Sequence, residues 1–200
     1  MTGTPSILLL AAGASRRMQG HDKQLEPVHA IPMLRHICLQ AVNTGTDVDC
    51  YVTLPDANHP RARVIDDLPV TPIFVDNPGL GLSASLVAGV TAIAPTMAPS
   101  ILVCPTDLPD LTSAHFNAIL TAQGQHPNTI IRAQSADGVF GHPVAFPRHL
   151  FAQLAAATGD QGPKHLFQTH PVRAVQFDDM APTTDLDTPQ AWARWRENNE

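Results

Sequence analysis

A short apolar run, Ile7-Leu8-Leu9-Leu10, breaks at once into the small residues Ala11-Ala12-Gly13-Ala14-Ser15. This junction constrains the chain more than any other feature. Four consecutive apolar residues closed by small ones read as a strand buried on both faces, which occurs where helices cover a parallel sheet. The loop that follows carries Gly13 and Gly20 and delivers Arg16, Arg17 and Lys23 within eight positions. The chain holds only 12 Lys and Arg against 18 Asp and Glu, so three cations this close form a local patch on an acidic protein. Scattered surface charge is the alternative reading. A loop that leaves a buried strand and gathers backbone N–H groups with positive charge suits a polyphosphate instead.

Periodicity places the remaining elements. Leu34, Ile37, Cys38, Ala41 and Val42 recur at helical spacing after the start signal Pro32, and Val48–Leu54 reads as a second strand. Ile73–Val75 is a short third strand. A Gly/Ser loop over Gly79–Ser85 leads into a helix bearing Leu86, Val87, Val90, Ile93 and Ala94. Ile101–Cys104, closed by Pro105, has the continuous apolar character of a central parallel strand. Thr112 or Ser113 caps a helix with Phe116, Ile119 and Leu120. Strands over Asn128–Arg132, Val144–Phe146 and Val172–Phe177 follow, with helices over Leu150–Ala156, Pro163–Gln168 and Pro189–Glu197. The 19 prolines are expected between elements. Alternating strands and helices predict an α/β three-layer sandwich, Rossmann-like with a mostly parallel sheet, as one domain over residues 1–200.

Composition narrows the surroundings. Cys38, Cys50 and Cys104 form no close pair and leave an odd count, which points to a reducing compartment, the cytoplasm, and to no zinc knuckle. No apolar run reaches the roughly 18 residues of a membrane span. A net charge of -6 argues against nonspecific nucleic-acid binding, which needs many phosphate contacts.

Ligands of open parallel sheets sit beyond the carboxyl ends of the strands. Three loops fall there: Ala11–Lys23, Asn77–Ser85 and Pro105–Leu111. The first lacks both the Gly-x-Gly-x-x-Gly spacing of dinucleotide folds and the Gly-Lys-Ser/Thr ending of a P-loop. In the second, Gly81, Ser83 and Ser85 offer amides and hydroxyls to a base or phosphate, or simply cap the helix. In the third, Asp107 is placed to hold Mg²⁺, which favours one or two carboxylates plus phosphate oxygens, while Asp110 suits a turn or cap. Gly141-His142-Pro143 reads as a turn bringing backbone close to a substrate. Gly159-Asp160-Gln161-Gly162-Pro163-Lys164 holds the second of only two lysines at a helix start. Asp185 and Asp187 precede the last helix, where Asp187 or Thr188 is also a candidate N-cap.

Leu10-Ala11-Ala12-Gly13-x-Ser15-x-Arg17-Met18-x-Gly20-x-Asp22-Lys23, followed by Pro32-Met33-Leu34, resembles the opening of the MobA-like nucleotidyltransferases. Thr106-Asp107-Leu108-Pro109, Gly141-His142-Pro143, Gly159-Asp160-x-Gly162 and Asp185-x-Asp187-Thr188-Pro189 follow in that family's order, covering nearly the whole chain. Within it the chain is most similar to molybdenum cofactor cytidylyltransferases. The resemblance implies a nucleotide-diphospho-sugar-transferase-like fold and Mg²⁺-dependent transfer of CMP from CTP to molybdopterin.

It further implies that Leu10, Ala11, Ala12, Gly13, Ser15, Arg16 and Gly20 lie along the nucleotide. Arg17 and Lys23 would bind its phosphates, and Asp107 with Asp185 or Asp187 would bind its metal. Gly141, His142, Pro143, Asp160, Gly162 and Lys164 would face the acceptor. In the family Leu-Ala-Ala-Gly accompanies cytidine and Leu-Ala-Gly-Gly guanosine. Two positions depart from the pattern: His29-Ala30 stands where a Gly usually precedes Ile-Pro, and Pro163-Lys164 replaces Ala-Arg. A different phosphorylated acceptor (a sugar or alcohol phosphate) and a non-catalytic carrier delivering the cofactor to a molybdoenzyme apoprotein stay open as alternatives.

Overall fold

The computed structural model describes residues 3–157 and 163–199, with the side chain of Leu80 left aside. In chain order it contains β1 (Ser6–Leu10), β2 (Pro27–Val28), β3 (Ile31–Pro32), α1 (Met33–Val42), β4 (Asp49–Leu54), α2 (Pro60–Arg63), β5 (Thr71–Phe74) and α3 (Leu82–Ile93). There follow β6 (Ser100–Pro105), α4 (Ser113–Gln125), β7 (Ile130–Gln134), β8 (Phe140–Pro147), α5 (Phe151–Ala155), α6 (Leu166–Thr169), β9 (Val172–Gln176) and α7 (Pro189–Asn199). Seven strands form one sheet in the order β5-β4-β1-β6-β8-β7-β9, and β2 pairs with β3 in a separate hairpin. Only β8 opposes the common direction, pairing antiparallel with both β6 and β7.

Every residue of β1 is buried, and alternate side chains enter opposite layers. Ile7 and Leu9 join the layer of α1, α4 and α7, whereas Leu8 and Leu10 join that of α3 and α5. Helix α3 lies so close to β1 that a Cβ on Gly89 would stand 2.4 Å from the Leu8 side chain. Two flanking strands hold β1 in register, with Leu10 opposite both Thr53 and Pro105. The carboxyl ends of β1, β4 and β6 therefore line up, and the loops leaving them meet.

The sandwich and its helices agree with the sequence reading, with three local corrections. The helix after the glycines starts at Leu82, so Ser83 and Ser85 are buried on its first turn and are not loop hydroxyls. Gly141-His142-Pro143 is no turn but part of β8, with a cis bond before Pro143. Prolines also stand inside strands, at Pro72 in β5 and Pro143 in β8. Asp110 stands in the turn after β6 as expected, and its carboxylate also accepts the Trp195 indole N–H at 2.8 Å, tying α7 to that turn.

The β2–β3 connection is a two-residue hairpin turn in which His29 and Ala30 have φ of 47° and 68°. Both lie in the left-handed region that glycine and asparagine usually fill in such turns. Thr188 caps α7, its hydroxyl accepting the Ala191 N–H at 3.2 Å. Among the described residues no helix is long and apolar enough to cross a membrane.

Candidate active site

Beyond the aligned strand ends lies a cleft of about 560 Å³ lined by Leu10, Gly13, Arg16, Arg17, Lys23 and Asp107, among others. Residues distant in sequence meet here. The Lys23 ammonium donates to Asp107 Oδ2 at 2.6 Å and to Asp187 Oδ1 at 2.7 Å, and the Arg17 guanidinium donates to Asp187 as well. The Lys23, Asp107 and Asp187 side chains are largely shielded from solvent, whereas Arg17 is 70% exposed.

Charge sets the protonation of the cluster. Burial works against the Lys23 charge, but the charges and hydrogen bonds of Asp107 and Asp187 outweigh it and raise the amine above its ordinary range. Burial would likewise push the Asp187 carboxyl up. The bond and charge of Lys23, the bond from Asp185 and the charge of Arg17 bring it below the usual carboxylate value. Partial desolvation, together with the bond to Asp187 and its charge, holds Asp185 above that value although the residue is largely exposed.

The first loop enters the cleft through a strained path: Ser15 and Gln19 have φ of 48° and 53°, and Gly20 has +95°. What fixes this path is a residue the sequence reading passed over. Arg61 of α2 is almost wholly buried, and its guanidinium grips the Asp22 carboxylate with two nitrogens at 2.6 and 2.7 Å. It also donates to the Ala11 carbonyl and to Ser15 Oγ. Burial would raise the Asp22 carboxyl, yet the bond and charge of Arg61 and the Gln24 N–H hold it below its ordinary value. The signal in sequence was the helix-start pair His59-Pro60 just past the end of β4, with an arginine directly behind it.

The remaining predicted residues fall into separate groups. Ala11 and Ala12 are buried behind the loop. Ala12, Ser15 and Gly20 line an adjoining depression of about 430 Å³, which also takes in Pro55, His59 and Arg61. Ser85 reaches the main cleft with Gly81. Ser83, His142 and Lys164 line a third cavity, of about 390 Å³, that shares Leu10 and Leu82 with the main cleft. His142 is pushed down to about 4 by burial, so its imidazole is neutral at pH 7. Asp160 and Gly162 lie outside the described residues.

Gly141 packs tightly against the chain itself. A Cβ there would stand 2.0 Å from the Pro182 carbonyl oxygen, and the next residue, His142, donates its backbone N–H to that oxygen at 2.9 Å. Leu186 N–H in turn donates to the Asp107 carbonyl at 2.9 Å. These two ties strap residues 182–187 across the sheet and bring Asp187 beside Asp107. Gly141→Ala is expected to lift the strap and lower turnover by about 10²-fold, the scale of a 1 Å misplacement. Pyrophosphate release checks this, with circular dichroism confirming the fold.

Asp107 and Asp187 already converge on one cationic nitrogen, so the pair fits a hard divalent cation that completes its shell with water and phosphate oxygens. Asp185 does not line the cleft and is turned onto Asp187. Among the described residues no three His, Cys, Asp or Glu side chains form a cage of their own. Asp107 and Asp187 thus face the cleft, while Asp185 stands behind Asp187.

The mostly parallel sheet and a cationic cleft at its carboxyl edge define a protein of the nucleotide-diphospho-sugar transferase fold. The model of the MobA-like NTP transferase domain matches residues 7–175, and the chain belongs to that family. Among curated relatives, the molybdenum cofactor guanylyltransferase of Pseudomonas aeruginosa (strain PAO1) is 30% identical over 199 residues, covering 96% of this chain and 94% of that protein. Among solved structures, Rv0371c of Mycobacterium tuberculosis H37Rv is 30% identical with a TM-score of 0.80, over 98% of this chain and 100% of that one. A manganese complex of Rv0371c is similar at 28% identity and a TM-score of 0.79, covering 98% and 99%.

Proposed function

We propose that the chain transfers a nucleoside monophosphate from a nucleoside triphosphate to the terminal phosphate of molybdopterin, releasing pyrophosphate. The observation that carries this reading is the meeting of Lys23, Arg17, Asp107 and Asp187 in one cleft beside a loop built to receive phosphates. The curated relatives, named molybdenum cofactor guanylyltransferases, supply the acceptor.

An acceptor phosphate oxygen attacks the α-phosphorus. The new P–O bond forms as the bond to the β-phosphate oxygen breaks, and the electron pair leaves on pyrophosphate. A phosphate monoester has a second pKa of about 6, so the nucleophile is deprotonated at pH 7 and needs no general base. Lys23 and Arg17 offset charge on the departing phosphates, and the cleft holds the two phosphates in line. Asp107 and Asp187 would hold Mg²⁺, which supplies further neutralisation of phosphate charge when bound.

For the base we propose cytosine. The Ala12 methyl fills room in the depression adjoining the phosphate cleft, where a glycine would leave space for a larger ring. Guanine is the second reading, favoured by the names of the relatives. A methyl-sized shape difference is worth ~1–3 kcal/mol, so CTP is expected to exceed GTP in kcat/KM by about tenfold or more. Pyrophosphate release with CTP, GTP, ATP and UTP, with molybdopterin as acceptor, decides between them. A GTP preference assigns the chain to guanylyl transfer, and no release with any nucleotide overturns the transferase reading.

A further inference from the structure

The third cavity holds an arginine that the nucleotide chemistry does not use. Arg132 of β7 lies between two phenylalanine rings, its guanidinium carbon 4.5 Å from the Phe167 centroid and 5.0 Å from that of Phe140. Phe146 stacks on Phe167 with an interplanar angle of 19°. Phe146, Phe167, Arg132 and Phe140 are thus in successive contact. Two of the seven phenylalanines in an aromatic-poor chain contact this cation and a third backs one of them.

Arg132 donates to the Gly141 and Phe140 carbonyls at 3.4 and 3.3 Å. Among the described residues it pairs with no carboxylate, whereas Arg17, Arg35, Arg61 and Arg196 each do. The cavity beside it has apolar walls of Leu86, Val103, Val144 and Phe146. His142 lines the same space, and its Nδ1 is buried without a hydrogen-bond partner. A clamped, partly desolvated guanidinium with unused N–H groups is a receptor for a carbonyl or anionic edge. The lining is mostly apolar, with one hydroxyl (Ser83) and one amide (Gln168), and suits a flat ring system better than the many hydroxyls of a sugar.

We propose that Arg132, clamped by Phe140 and Phe167, is the specificity-determining residue that reads the carbonyl edge of a flat heteroaromatic acceptor in this cavity. The inference rests on the transferase reading for the role of the cavity and selects the acceptor class within it. A ring seated there lies next to the phosphate cleft, because Leu10 and Leu82 are common to both.

The test is direct binding, without turnover. Neopterin 3′-phosphate, whose ring is fluorescent, is titrated into wild type, Arg132→Gln and Arg132→Lys, with ribose 5-phosphate as competitor. Wild type is expected to bind the pterin and to be displaced poorly by the sugar phosphate. Arg132→Gln should weaken binding by about tenfold or more, the scale of a hydrogen bond to a charged group, and Arg132→Lys nearly as much because an ammonium lacks the planar fork. CTP affinity, measured on the same samples, should be unchanged in both variants and shows that they are folded. Equal pterin affinity in wild type and Arg132→Gln overturns the proposal. So does absence of pterin binding to wild type, or displacement by ribose 5-phosphate at equal concentration. Each of these leaves pyrophosphate release as the separate judge of the transferase reading.

Discussion

Lys23→Ala is expected to lower turnover by on the order of 10²–10³-fold while making the protein a better binder of metal alone. The two effects share a cause. The ammonium lies within hydrogen-bond distance of both Asp107 and Asp187, occupying the place where their oxygens converge. It neutralises the two acids, so a divalent cation arriving without phosphate gains little. When the triphosphate enters, the ammonium has a second set of anions to serve. Removing it strips charge from the phosphate side and leaves two shielded carboxylates facing each other, a pair relieved by a divalent cation.

Manganese binding without nucleotide, followed by electron paramagnetic resonance, should tighten by about tenfold or more, and pyrophosphate release should collapse. Unchanged metal affinity would show that Lys23 does not shield the pair. A near-normal kcat would remove it from the reaction.

Arg61→Leu is expected to have the largest effect on stability. Taking away a buried guanidinium leaves the Asp22 carboxylate without its partner and frees the Ala11 carbonyl and the Ser15 hydroxyl. Breaking a buried pair from one side costs about 3–5 kcal/mol, which for a chain of this size corresponds to a Tm lower by roughly 10 °C. The loop that carries Arg16, Arg17 and Lys23 loses its brace at the same time, so nucleotide affinity should fall with stability. Adding Asp22→Asn removes the stranded charge and should recover part of the Tm without recovering affinity. Calorimetry gives the first readout and nucleotide titration the second. A double variant no more stable than Arg61→Leu would place the cost elsewhere.

Much of the architecture was legible because the signals were local. Ile7–Leu10 and Ile101–Cys104 could only be buried strands, and the apolar spacing from Leu34 to Val42 could only be a helix. The loops after β1 and β6 were also identifiable, since cations and a carboxylate beyond strand ends mark where a parallel sheet receives ligands. What escaped was long-range. Nothing near Arg61 in sequence announces Asp22, 39 positions earlier, and nothing near Arg132 announces Phe167.

Gly141 was misread for a related reason. A glycine beside a proline suggests a turn, but this one makes room for a carbonyl from a strap 41 residues later. Ser83 and Ser85 were misplaced because glycines at 79 and 81 hid how early α3 begins. Short-range patterns report the backbone. The partners that set charge and reach across loops are visible only in three dimensions.

The strap that carries Asp187 follows the nine strands of the described residues, whereas Lys23 lies on the loop after the first of them. During synthesis on the ribosome, the lysine and Asp107 emerge long before their third partner. A nascent chain can pair its strands yet still lack one of the acids that balance the cleft, so competence to handle a nucleotide arrives late, as a by-product of chain order.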